Sequence, residues 1–185
     1  MTAAGSLQAW AAVVALGAFH GANPSMGWLF AVSNAMFARR ARAIFEALPP
    51  IALGHLLSMA AVLLPVAAIA ALSTQLALVR IVAGVAIIVF GIYKLVVRRH
   101  PRVLSRIGAG HLTLWSFVMA SAHGAGLMLV PIYLGMAPMK GEPSMPGMAA
   151  MGQVGNGIAV AAAVAVVHTV AMLAVAAAIA WVFFR

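Results

Sequence analysis

Hydrophobic residues do not alternate with polar ones along this chain; they run on in long blocks. Apolar blocks cover residues 7–38, 44–72, 81–97, 112–136 and 154–184. Each approaches or exceeds the roughly 20 residues that carry a helix across a hydrocarbon core about 30 Å thick. The pattern predicts an all-α, polytopic membrane bundle of about five transmembrane helices. It forms a single domain, 1–185, divisible into a first half, 1–100, and a second half, 108–185. The first block is too long for one straight crossing, and Gly21, Asn23, Pro24 and Gly27 interrupt it. A proline inside a helix removes one hydrogen bond and clashes with the carbonyl four residues earlier, which here belongs to His20. A break beside a histidine is therefore expected, with Asn23 and Pro24 as its hinge.

Composition excludes a soluble domain: 65% of residues are hydrophobic and 7% charged, against about 25% charged in soluble proteins. A net charge of +9 would suggest nucleic acid as the partner of a soluble chain, but the placement of the charges points to the bilayer instead. With five crossings, Arg39, Arg40, Arg42, Lys94, Arg98, Arg99, Arg102, Arg106 and Arg185 share one side, and only Arg80 and Lys140 lie opposite. By the positive-inside rule that side is cytoplasmic, which places a multi-pass protein in the cytoplasmic (inner) membrane with its amino terminus outside. No basic residue precedes the first apolar run and no small-residue cleavage site is clear, so that run is taken as mature helix. Trp10, Trp115 and Trp181 fall near span ends, where interfacial indoles anchor helices. His100 and His111 flank the basic loop and are taken as interfacial. The segment around residues 138–152, rich in Pro, Gly and Met, is expected to be a flexible external loop.

Four histidines stand apart. His20, His55, His123 and His168 each lie about 11 to 15 residues into their span, which at about 1.5 Å per residue is near the bilayer centre. Ionisable side chains at that depth are costly, face the bundle interior and mark function by default. Methionines accompany them at one-turn spacing: Met119 before His123, Met59 after His55 and Met172 after His168, so each pair shares a helix face. Imidazole and thioether together suit a soft or borderline metal such as copper or nickel, although methionine also serves as core filler. Met136, Met139, Met145, Met148 and Met151 of the external segment resemble a capture site for Cu(I). Span three has no polar side chain between Arg80 and Lys94, and Gly84 and Gly91 leave a smooth stripe for packing within the chain or against a second protomer.

The chain has no cysteine and no aspartate, and its two glutamates, Glu46 and Glu142, lie at span edges. Thiolate metal sites and thiol redox chemistry are thereby excluded. Hydrolysis or phosphoryl transfer would need a carboxylate base or ligand at the midplane, so no enzymatic activity is expected. A divalent ion among neutral ligands would keep its full charge in a low-dielectric interior, which favours a monovalent ion or neutral solute. A histidine can itself carry the coupling proton.

Two marks recur in order. Ala18-Phe19-His20-Gly21-Ala22 is echoed by Ser121-Ala122-His123-Gly124-Ala125, and His55 with Met59 is echoed by His168 with Met172. Matched helices three crossings apart run in opposite directions, so this is an incomplete inverted repeat, the construction that places a transporter's site between its halves. The stretches His20-Gly21-Ala22-Asn23-Pro24 and His123-Gly124-Ala125-Gly126 resemble motifs of the small permeases that include the nickel/cobalt permeases, the HupE/UreJ-type proteins and the lysine-exporter and CcdA-like families. The resemblance covers these short stretches only. It implies a permease whose first span carries a histidine-glycine or proline motif that is repeated in an inverted second half. The acidic residue of the nickel/cobalt motif is absent, with Asn23 near its place, so nickel selectivity does not follow.

The leading expectation is a permease for a transition-metal cation or other small solute. A membrane b-type cytochrome with histidine-ligated haem and a non-transporting accessory subunit of a larger membrane complex are the alternatives.

Overall fold

The computed structural model describes residues 3–72, 76–96, 108–136 and 146–185, with side chains for all of these but 3, 4, 71, 72, 76, 77, 94 and 146–154. The described residues form seven α-helices and no strand: α1 (Ala3–Ala22), α2 (Trp28–Ala38), α3 (Arg42–Leu72), α4 (Leu76–Val96), α5 (Ala109–His123), α6 (Ala125–Met136) and α7 (Pro146–Phe184). A 3₁₀ turn, Pro24–Met26, separates α1 from α2.

Two helices are long and apolar enough to cross a membrane, over Arg42–Ala70 and Gly155–Phe184. Helices α5 and α6, bent by 62° at Gly124, supply a third if the pair is one span. The stretches Trp28–Ala38 and Leu78–Tyr93 are apolar but shorter.

The first apolar block breaks where proline chemistry places the break. Asn23 caps the turn, its Oδ1 accepting from the Ser25 backbone N–H at 3.0 Å, and Gly27 closes it at φ +115°, a conformation that favours glycine. A second break, not anticipated from sequence, falls at Gly124, whose φ of +70° ends α5. Its neighbour explains the residue choice: a Cβ there would meet Phe90 Cε1 at 2.6 Å. Pro49, Pro50, Pro65 and Pro131 stay inside helices. The Met-rich segment is shorter than a loop over 138–152, because α7 already begins at Pro146, and a proline is tolerated at the first position of a helix.

Helix α3 pairs most extensively with α5, α1 with α7, and α3 with α7. Close approach rests on glycine. A Cβ on Gly17 or Gly21 would collide with the carbonyls of His168 and Met172, and one on Gly54 with that of Thr113; such small-residue seams let helix backbones touch. Helix α4 is peripheral: Ile81, Val85, Ile88, Val89 and Ile92 are all more than half exposed. A Cβ on Gly84 or Gly91 would meet nothing within 4 Å, so among the described residues the stripe expected to pack within the chain does not do so.

Buried apolar side chains fall into two clusters. One joins Met59, Leu63, Ala67, Leu129, Tyr133 and Val164; the other joins Trp28, Ala31, Ile44, Ile51, Leu112, Met172 and Ala176. Between them along α3 and α7 lie His55 and His168, with His20, Ser58, Ser116 and Thr169 completing the buried polar residues.

Candidate functional site

Helical periodicity delivers three histidines to one place. On α3, Ala47, Ile51, His55 and Met59 recur every four residues and are all buried; on α7, Val164, His168, Met172 and Ala176 do the same. Side chains four apart share a helix face, so His55 and His168 point inward wherever those faces meet. Helix α1 adds His20 from its last turn.

The three rings touch. Centroids of His20 and His168 are 5.0 Å apart, those of His55 and His168 5.4 Å, and those of His20 and His55 5.9 Å. The His55 and His168 rings are parallel to within 1°, while His20 meets both edge-on. His20 is 2% exposed and the other two are 0%.

Their hydrogen bonds differ. His20 Nδ1 lies 3.0 Å from the Leu16 carbonyl. A carbonyl only accepts, so Nδ1 carries the hydrogen and Nε2 of the neutral ring carries a lone pair. Neither ring nitrogen of His55 or of His168 makes a hydrogen bond, and Thr169 Oγ1 beside His168 makes none either. The Val13 carbonyl lies near His168, outside hydrogen-bonding geometry. Buried polar atoms without partners cost about 1–3 kcal/mol each. Four such nitrogens in one spot therefore form a concentrated site of unmet polarity.

The fourth histidine stands beside this cluster, near enough to His20 to act on it electrostatically. His123, half-buried at the end of α5, donates from Nδ1 to the Met119 carbonyl at 2.8 Å and places Nε2 3.4 Å from Ser25 Oγ. Ser25 Oγ in turn donates to Asn23 Oδ1 at 2.8 Å. Trp115, expected as an interfacial anchor, instead donates from Nε1 to the Ser25 carbonyl at 3.2 Å and meets Phe30 edge-on. Trp28 Nε1 donates to the Ala22 carbonyl at 3.3 Å, an acceptor that the broken helix would otherwise leave unpaired. The expected hinge at Asn23 and Pro24 is thus fastened to α5 by the Trp115 hydrogen bond to the Ser25 carbonyl, with His123 Nε2 in contact beside it.

Among the methionines, Met59, Met119 and Met172 are buried, Met59 in one apolar cluster and Met172 in the other. Met136 packs at the edge of the first cluster. Met139 and Met145, expected to form external capture sites, lie outside the described residues, as do the side chains of Met148 and Met151. His111 is exposed, and His100 lies outside the described residues.

Sequence reasoning did not single out Ser25, Ser58, Ser116 or Thr169. Ser58 Oγ lies 2.9 Å from Ser121 Oγ, and Ser116 Oγ donates to the Ile51 carbonyl at 2.7 Å. Small hydroxyls are common in apolar helices, and only the interhelical partner distinguishes these.

As the rings stand, no group of three or more His, Asp or Glu side chains among the described residues is arranged to hold a metal ion. No family model, curated protein or solved structure matches the chain.

Proposed function

We propose that this chain is a permease of the cytoplasmic membrane that passes a transition-metal cation, copper- or nickel-like, or another small solute across a site formed by His20, His55 and His168. The observation that supports it is three fully buried imidazoles from three helices in mutual contact, four of whose nitrogens have no hydrogen-bond partner. Ionisable groups held inside a membrane bundle lie on transport or relay pathways.

Spacing suits an ion. With metal–nitrogen distances of about 2.0–2.1 Å, ring centroids sharing one ion in trigonal or tetrahedral geometry sit about 5–5.5 Å apart, and the observed separations span 5.0–5.9 Å. Because the His55 and His168 rings are stacked, binding needs them to turn. His55 and His168 have no hydrogen bonds to hold them against turning. Neutral ligands favour a monovalent ion.

In this reading α1 with α2, α3, α4, α5 with α6, and α7 are the five spans. The amino terminus lies outside and the carboxy terminus in the cytoplasm, as the positions of the arginines direct. The two broken spans and the two helices carrying a histidine–methionine pair are related as an inverted repeat. The dominant pairings support this, since exchanging the halves turns α1 on α7 into α5 on α3.

Purified protein analysed for bound metal and reconstituted into liposomes tests the proposal. Stoichiometric copper or nickel with ion flux is the expected result, and H55A and H168A each lose both. A strong Soret band would instead identify a b-type cytochrome. A colourless, metal-free protein that co-purifies with a partner and shows no flux would identify an accessory subunit.

A further inference from the structure

On one side the apolar seal between water and the histidine cluster is thin. A surface cavity of about 230 Å³ lies between α2, α3 and the start of α5, lined by Asn34, Arg40, Glu46 and Pro50 together with Gly108 and Leu112. Pro50 precedes His55 by five residues, a rise of about 7.5 Å along the helix. In the other direction Met59, Leu63, Ala67 and Ala70 are buried on α3, with the Ser58 hydroxyl beside Met59.

The thin seal has identifiable parts. Ala47 lines the cavity, Ile51 is one turn further on and His55 one turn beyond that, all on one face of α3. Ile51 is 1% exposed, and its side chain occupies the space over Gly27, where a Cβ would meet Ile51 Cδ1 at 3.0 Å. Ser116 Oγ holds the Ile51 carbonyl, and Trp115 Nε1 holds the carbonyl of Ser25, two residues before Gly27. Both donors sit on α5 within a turn or so of Leu112, which lines the cavity.

We propose that this cavity is the approach by which the solute passes between water and the three histidines. Ile51, seated over Gly27, is its barrier, and the Trp115–Ser25 hydrogen bond is the latch that keeps the barrier closed. The inference rests on the permease reading of the histidine cluster. Opening requires the α1–α2 elbow to withdraw from α5, which breaks the Trp115 contact and frees Ile51 from the Gly27 notch.

The chain contains no cysteine, so Ser58→Cys installs a single thiol one turn past His55, at a position 2% exposed. Its reaction with a membrane-impermeant methanethiosulfonate is followed in vesicles of each orientation, and a separate Ala109→Cys protein reports which orientation presents the cavity. The expected result is slow labelling of S58C from both sides. Adding Ile51→Ala should speed it on the order of tenfold from the cavity side alone, because truncation opens the seal locally. Trp115→Phe keeps the ring and removes the donor; it should give the same one-sided increase even if I51A fails to fold. Leu129→Ala, in the opposite apolar cluster, should change nothing from the cavity side. Faster labelling from the far side, or none with both I51A and W115F, would overturn the proposal. The readout involves no ion. One-sided labelling without flux in liposomes would uphold the route and remove the permease reading, whereas flux with unchanged labelling would do the reverse.

Discussion

Replacing the His55 imidazole with an apolar group of similar size separates what the ring does for stability from what it does for binding. Its two nitrogens are buried without partners, so His55→Leu removes an unmet desolvation cost of about 1–3 kcal/mol for each. The melting temperature of the metal-free protein in detergent should rise while ion binding disappears. A fall in melting temperature would show that the nitrogens are paired. Sequence carried part of this site and not the rest. The burial of His55 and His168, and the turn-spaced residues that bury them, follow from counting along apolar blocks. The contact of His123 with Ser25 does not, because it depends on an elbow 98 residues away in the chain. The role of Trp115 was hidden for the same reason, since an indole near a span end reads as an anchor until its N–H partner is seen.

At the level of elements, glycine marks two opposite situations. Gly17 faces the His168 carbonyl with no room for a methyl group, whereas Gly84 faces open space. Gly17→Ala should therefore cost about 1–3 kcal/mol through overpacking. Gly84→Ala should be neutral or stabilising by up to about 1 kcal/mol through helix propensity; denaturant unfolding in micelles checks both. The salt bridges of Glu46 with Arg40 and Arg42, at 2.8 and 3.4 Å, are 43–82% exposed. Glu46→Gln should thus shift stability by less than about 1 kcal/mol in the same measurement. The helices, their apolar faces and the Pro24 break were legible because they follow from periodicity and from the lost proline donor. The Gly124 break was not, since a glycine shows its positive φ only once folded. Four other prolines sit inside helices, so proline alone would have predicted breaks that are absent.

For the molecule as a whole, the proposed topology makes one directional statement: the cavity face is cytoplasmic. Ala109→Cys should react with impermeant reagent in inverted vesicles and not in intact cells, and the opposite result would reverse the assignment of the termini. The way the halves interlock has a further consequence for biogenesis. Helix α1 buries Val13, Gly17 and His20 and makes its main contacts with α7, which begins only at Pro146. A ribosome therefore delivers α1 well before the helix it packs against, and under the proposed membrane topology its seam faces lipid in the interval. On that reading the two halves share one interior, and the seam of α1 closes only once α7 has been made.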